Sequence, residues 1–470
     1  MVNIKRTVAV VGAGLSGLSA AVRLHDLAKN WDKETGGKFP LEIHLFEVSG
    51  VLGGRASSRF CPERNVWLDN SQHVAMNCCH ELLDFLKRTE LLEYWKLQRE
   101  MTFCVRRPPF SGKSNLRFMP FRNSRWLPRP LHLLPALCGL KFLSRLERFE
   151  LLGICQQIRK SKPAEGISIS EWLDDLFCPD RVMNLFFEPV ILSAFSEQLE
   201  NVSARAAQKL FQEVFFSSRD GWHIWIPQRP LREIFDTALT LVLEKMGIHV
   251  HRRTSVKRVH DGRLTVSDSE AGSLAEFSAD AVILAVPWFQ AGKIFPELVS
   301  CRTLNPDFFE PRTIASVHFW SDRELFSCAN LVLPQETIQW IFRPPFIFEE
   351  KGICYQALLS DSDHCAAIDP SVLEHLVHEE LKMLFPEANF RDFFVRRSPA
   401  AVFSCGTQLD EGRPTFLTPI PSVFLAGDWT ATGLPATMES AVRSGHIAAA
   451  ESFEFLQNLP ESTRNFGGSP

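Results

Sequence analysis

Gly12, Gly14 and Gly17 follow a β-branched run at residues 7–11 and precede Leu18, Ala21, Val22, Leu24 and Ala28 at helical spacing. In such a G-x-G-x-x-G, the first glycine permits a tight turn and the second admits a pyrophosphate to the backbone. The third lets the helix pack against the sheet. The backbone of Leu15 and Ser16, at the helix N-terminus, then offers N–H groups and a positive dipole end to phosphates. A second strand at residues 41–46 ends on Glu47, a carboxylate placed to accept hydrogen bonds from ribose hydroxyls. It lies further along than the usual ~20 residues, and the polar, glycine-bearing segment 30–40 reads as the surface insertion that accounts for the excess.

Nicotinamide and flavin dinucleotides share that fingerprint, and two further runs decide between them. Gly53-Gly54-Arg55 is a glycine turn with a cation able to reach the pyrophosphate. Far along the chain, strand 423–426 leads into Gly427-Asp428 and then a helix from about residue 437, through Met438, to 456. A long, extended cofactor needs both ends: adenosine at the first motif, ribityl and isoalloxazine at the second. Asp428 suits ribityl hydroxyls. FAD is therefore the expected cofactor.

Elsewhere the pattern predicts helices at 81–88, at 168–177 with capping-box spacing from Ser168 to Glu171, from Pro230 to 245, and at 371–384. Strands are expected at 249–252, 255–259, 264–267 and 280–286, the last stopped by Pro287. The fold class is α/β: a Rossmann-type FAD-binding domain with an interleaved α+β substrate domain. The FAD-binding parts are expected at 1–90, 216–295 and 401–458, the substrate parts at 91–215 and 296–400, and a disordered tail at 459–470.

The 470 residues exceed one ordinary core. A net charge of −4 excludes a dedicated nucleic-acid binder. Thirty-eight phenylalanines against 2 tyrosines supply apolar wall without hydroxyls. The 12 scattered cysteines contain no C-x-x-C pair and suit a reduced, cytoplasmic chain; no metal site is read from them. No secretory signal is read at the N-terminus, and no apolar run approaches the ~18 residues that span a bilayer.

The arrangement resembles the amine oxidase and phytoene desaturase superfamily of flavoproteins. Within it, the chain is similar to the squalene-associated FAD enzymes, the bacterial hydroxysqualene dehydroxylases of hopanoid synthesis. The pieces that carry the resemblance are residues 11–17, 52–55, 68–73, 203–205, 281–287 and 427–438, the last reading Gly-Asp-Trp-Thr-Ala-Thr-Gly-Leu-Pro-Ala-Thr-Met. Ser71 stands where glycine is common in the family, and the insertion before Glu47 is a second departure.

By that resemblance Gly12, Gly14, Gly17, Glu47, Gly54 and Arg55 would hold the adenosine diphosphate half. Val256 would meet adenine through its backbone, Gly427 and Asp428 the ribityl chain, and the Met438 backbone the flavin pyrimidine edge. The implied reaction replaces an allylic hydroxyl of hydroxysqualene by hydrogen, with hydride from reduced flavin N5 and a proton from an acid. Gln72 and His73 follow a strand expected beside the flavin, and His73 is the first candidate acid; Asp69 and Glu188 are alternatives. The sequence names no electron donor.

Basic residues Arg117, Arg122, Arg125, Arg129, Lys141, Arg145 and Arg148 alternate with large apolar ones, as an anionic membrane surface would favour. A peripheral site on the inner membrane face follows, and the expected substrate is an apolar isoprenoid. Three competing readings remain: a carotenoid-type desaturase, an amine oxidase, and a flavin-free escort of prenylated proteins.

Overall fold

Short apolar runs buried on both faces make parallel strands; three such runs and two partly exposed ones form one five-stranded sheet. In chain order they are Arg6–Val11, Leu41–Phe46, His249–His251, Ala281–Leu284 and Val423–Leu425; in space they run third, second, first, fourth, fifth, all parallel. That is the strand order of a dinucleotide-binding sheet, with its switch point beside the first strand. The helices Leu15–Thr35 and Met438–Gln457 pack on it and on each other. Their close approach depends on Gly445, where a Cβ would lie 2.2 Å from the Ser16 carbonyl oxygen. A three-stranded antiparallel meander, Thr254–His260, Arg263–Asp268 and Leu274–Ser278, completes this unit.

The computed structural model describes residues 5–106, 116–129, 131–260, 262–268, 272–347, 352–360, 365, 367–408 and 412–460. The chain divides into two units: Met1–Ser57, Arg232–Phe309 and Gly412–Pro470 form the first, Ser58–Leu231 and Glu310–Glu411 the second. The first break thus falls after Ser57 rather than near residue 90. Residues 216–231 also fall in the second unit, because strand Ile224–Pro227 pairs with Ala75–Met76 and Trp95–Gln98.

The second unit is built on a seven-stranded sheet in the order Phe390–Phe403, Pro311–Ser321, Ile353–Leu359, Trp340–Phe342, Asn330–Val332, Met101–Arg106, Leu116–Phe121. Side chains alternate across it with the period of two that strands impose. Cys104, Ile341 and Leu359 enter a core with Leu373, Val377 and Leu381 of helix Pro370–Leu384. Phe103, Trp340, Phe342 and Leu358 face the other way.

Two local expectations are corrected. Residues 30–35 are not a loop but the last turns of the first helix, which stops at Gly36 with φ of 68°. Trp31 holds them, packing edge-on against Phe39 and Phe453 at ring distances of 6.1 and 6.5 Å. At the other end, the expected disordered tail begins anchored, since buried Arg6 donates to the carbonyls of Leu459 (2.8 Å) and Pro460 (3.2 Å). The rest of that tail, 461–470, lies outside the described residues. The Ser168 capping box forms as expected, Ser168 N–H donating to Glu171 at 2.8 Å and Glu171 N–H to Ser168 at 3.2 Å.

Candidate functional site

In an open parallel sheet, ligands bind beyond the carboxyl ends of the strands at the switch point. Gly12, Glu47, Ala285 and Gly427 all stand at such ends. Gly12 has φ of 101°, and a Cβ there would sit 2.6 Å from the Ala285 carbonyl oxygen. At Gly17 a Cβ would lie 1.9 Å from the Gly12 carbonyl oxygen, so helix and turn could not approach as they do. Gly14 differs: nothing lies within 4 Å of its missing Cβ. That open face borders a helix N-terminus with no side-chain cap, whose first-turn N–H groups have no intrahelical acceptor. Such a cradle fits a pyrophosphate.

Glu47 is buried, and its two oxygens accept from the N–H groups of Ala13 (2.9 Å) and Ser49 (2.8 Å). Each carboxylate oxygen keeps a second lone pair for a ribose hydroxyl. The Leu52–Arg55 turn is held by Asp236, which accepts from the Leu52 N–H at 3.0 Å and pairs with Arg252 at 2.5 Å. Asp236 lies in a π-helical turn, Glu233–Ala238, inside the helix expected from Pro230. Val256 is buried on the first meander strand, where the pairing shifts between Val256 and Arg258.

Asp428 is buried and pairs with Arg55 at 2.7 Å, so the two widely separated motifs meet. Three residues missed in the sequence shape this turn. Buried Arg413 donates to the carbonyls of Asp428 and Leu434 (both 2.6 Å) and to the Thr432 hydroxyl (2.9 Å). The Trp429 indole donates to the Val286 carbonyl at 2.9 Å, and the Ser444 hydroxyl accepts from the Gly427 N–H at 2.8 Å. Trp429 lies within the motif run and was visible there; Ser444 lies beyond it in the last helix, and nothing in the spacing marked it or Arg413. Met438 opens the last helix, capped by the Thr437 hydroxyl at 3.1 Å from the Ser440 N–H.

The second unit carries a pocket of about 1040 Å³, its mouth included. Its floor is the sheet face with Phe103, Trp340, Phe342 and Leu358, and its wall includes Phe186, Val190 and Phe215. Two wall segments, Met183–Phe187 and Gln212–Phe216, are π-helical turns, a geometry that recurs at functional sites. The polar lining residues are Gln72, Ser193 and Ser360, and the Ser193 hydroxyl is occupied by the Trp340 indole N–H at 2.6 Å. Among the described residues that line it, none is ionisable.

The sequence candidates for proton transfer therefore part company. Gln72 lines the pocket; His73, Asp69 and Glu188 are not among its lining residues. His73 Nδ1 lies 2.9 Å from the Ser71 carbonyl oxygen, which fixes the proton on Nδ1 in the neutral ring. Asp69 is fully buried, accepting from the Ser58 hydroxyl (2.6 Å) and the Leu231 N–H (3.0 Å). Burial pushes its carboxyl up to about 7. It fastens the start of the second unit to the end of that unit's first segment. None of the 12 cysteines is joined in a disulfide.

Sheet order, glycine turn and paired Arg55 and Asp428 define the class: an FAD-dependent oxidoreductase. The family of flavin containing amine oxidoreductases matches residues 15–451, and the chain belongs to it. It is 23% identical to the hydroxysqualene dehydroxylase of Zymomonas mobilis, over 94% of this chain and 97% of that one. Similarity to the zeta-carotene desaturase of Synechocystis is also 23%, over 94% and 96%. The fold is shared with an oxidoreductase from Methanosarcina mazei (TM-score 0.70, 17% identity, 95% of this chain and 100% of that one).

Proposed function

We propose that this flavoprotein reduces hydroxysqualene to squalene, replacing an allylic hydroxyl by hydrogen. The pocket carries the reading: its aromatic and aliphatic wall, with no ionisable group among the described lining residues, suits a long hydrocarbon and offers no carboxylate to pair with an amine. Likeness to hydroxysqualene dehydroxylases over nearly the whole chain supports the choice of lipid. In this reading FAD would be held by the backbone from Gly12 to Gly17, with Leu15 and Ser16, together with Glu47, Gly54, Arg55, Val256, Gly427, Asp428 and Met438.

The reaction consumes one hydride and one proton and releases water. Bound FAD, once reduced, supplies the hydride. The chain's own part is to hold the hydrocarbon, exclude water and deliver the proton. A developing allylic cation is steadied by the faces of Phe103, Phe186, Phe215 and Trp340. His73, next in sequence to the pocket residue Gln72, is the proposed proton donor. The proposal includes peripheral contact with an anionic membrane through the basic and apolar residues of 117–149. No helix among the described residues is long and apolar enough to cross a membrane.

An anaerobic single turnover tests the reaction: reduced holoprotein is mixed with hydroxysqualene in liposomes, and flavin reoxidation and extracted lipid are followed. Reoxidation with squalene formed is expected. Stable reduced flavin with untouched substrate removes this reading and favours a desaturase, in line with the zeta-carotene desaturase likeness.

A further inference from the structure

The outer strand of the parallel sheet, His249–His251, pairs with Leu41–Phe46 in a register that sets His249 beside His44. Because side chains alternate, Glu42, His44 and Phe46 share one face with His249 and His251. The imidazoles of His44 and His249 stack at 4.7 Å between ring centres, and those of His44 and His251 at 5.2 Å. The Glu42 Oε1 atom is 3.5 Å from His249 Nε2 and 3.8 Å from His44 Nε2. One ligand atom from each of Glu42, His44 and His249 falls within 4.8 Å of the others. None of these residues takes part in the cofactor cradle or the apolar pocket.

We propose that Glu42, His44 and His249 bind a divalent transition-metal ion of the zinc type. Two imidazoles and a carboxylate are a borderline donor set of the kind that selects such ions. Tetrahedral coordination with bonds of about 2.0–2.1 Å needs ligand atoms roughly 3.3 Å apart. The two measured separations from Glu42 are within ~0.5 Å of that spacing. Small side-chain rotations close the set, and the half-exposed His249 leaves a path for the ion and room for water as a fourth ligand.

The contact between His44 and His251 admits a tautomer ready for a metal ion. His44 Nδ1 lies 2.9 Å from His251 Nε2, so one ring donates to the other. If His44 donates, its Nε2 is left as a bare lone pair aimed toward Glu42. The opposite tautomer puts a proton on Nε2 with its nearest carboxylate oxygen 3.8 Å away, too far for a hydrogen bond. His251, itself stacked on Phe46 at 4.6 Å, thus acts as the outer partner that orients a metal-bound histidine. Lys5 shares Glu42 at 2.9 Å but is largely exposed and free to swing away. The ion would tie the outer strand to its neighbour where both lead into the cofactor cradle: the Glu47 N–H donates to the His251 carbonyl (2.9 Å), and the Thr254 N–H to the Glu47 carbonyl (2.8 Å). The two halves of the site are 207 residues apart in the chain, which is why no spacing motif betrays it.

The test uses FAD-loaded protein stripped with chelator and titrated with Zn²⁺ in equilibrium dialysis. Wild type should take up one ion per chain more than His249→Ala or Glu42→Gln, all three carrying the same flavin content. His251→Phe keeps the stack and the stoichiometry but should bind about 10–100-fold more weakly. The cysteines are common to every variant and cancel in the comparison. Equal uptake by wild type and His249→Ala, or no uptake by either, overturns the proposal; so does unchanged affinity in His251→Phe, for the orienting role.

Discussion

In the unit holding the parallel sheet, the groups set around the cofactor cradle are glycines, backbone N–H groups and a few charges such as Glu47, Arg55 and Asp428. In the unit holding the seven-stranded sheet, the pocket is walled by whole side chains drawn from strands and helices scattered between Gln72 and Ser360. A polar, extended cofactor is recognised by backbone geometry, which tolerates few residue types at each position. A hydrocarbon is recognised by shape and dryness, which many residue combinations can supply. Substitutions should therefore act all-or-none in the first unit and by degrees in the second.

The largest effect is expected from Gly17→Val. Its Cβ alone would lie 1.9 Å from the Gly12 carbonyl oxygen, so turn and helix must separate. Purified Gly17→Val should carry no flavin; a normal flavin-to-protein ratio would break the contrast at its strongest point. Next comes Ala194→Trp, which fills the pocket from its helical wall. Here flavin content should be unchanged and kcat/KM should fall roughly 10–100-fold, on the scale of steric discrimination in apolar sites. Loss of flavin in that variant would blur the division of labour.

The same contrast explains what could be read from the chain. Gly12, Gly14, Gly17, Glu47 and the Gly427–Asp428 run were legible because a phosphate, a tight turn and a strand end each demand a residue type at fixed spacing. The family and the cofactor followed from them. Asp236 and Arg413 were not, since each acts on backbone groups far off in sequence through contacts no local pattern encodes. The pocket was foreshadowed only in bulk, by the excess of phenylalanine. Its two π-helical turns shift the register of Phe186 and Phe215 by one residue, which helical periodicity cannot show. The first helix was cut short because 30–35 is polar, whereas a single Trp31 among Phe39 and Phe453 carries it on to Gly36.

Buried ionisable groups of the second unit make a gentler prediction. Burial holds the Asp69 carboxyl at about 7, above the ~3.9 of an unfolded chain. Below pH ~4 both states are protonated. As pH rises from there to about 7, the unfolded state releases a proton that the folded state retains, so stability falls and then levels off. His318 acts in the opposite sense. Burial holds it down at about 3, so stability falls as pH drops below the ~6.5 of an unfolded histidine. Between pH ~4 and ~6.5 the two slopes oppose each other. Denaturant midpoints measured from pH 4 to 8 should therefore fall more steeply toward acid in Asp69→Asn than in wild type, because only the His318 slope is left. A wild-type slope in Asp69→Asn would remove Asp69 as the source of the opposing one.

The smallest effect belongs to the surface. Trp126 is 93% exposed and Phe149 75%, and both lie in the stretch where basic and apolar residues alternate. A side chain that has no partner to lose costs the folded state little when it is cut back. Trp126→Ser and Phe149→Ser should therefore leave flavin content and denaturant midpoint unchanged. If the stretch rests on a membrane, each ring gains by leaving water at the interface, and the nearby arginines add about 1 kcal/mol apiece on an anionic surface. Flotation with anionic liposomes should then drop several-fold in the double variant, and added salt should weaken what remains. Equal flotation of wild type and variant would assign the exposed rings no membrane role and leave shape recognition in the pocket as this unit's whole contribution.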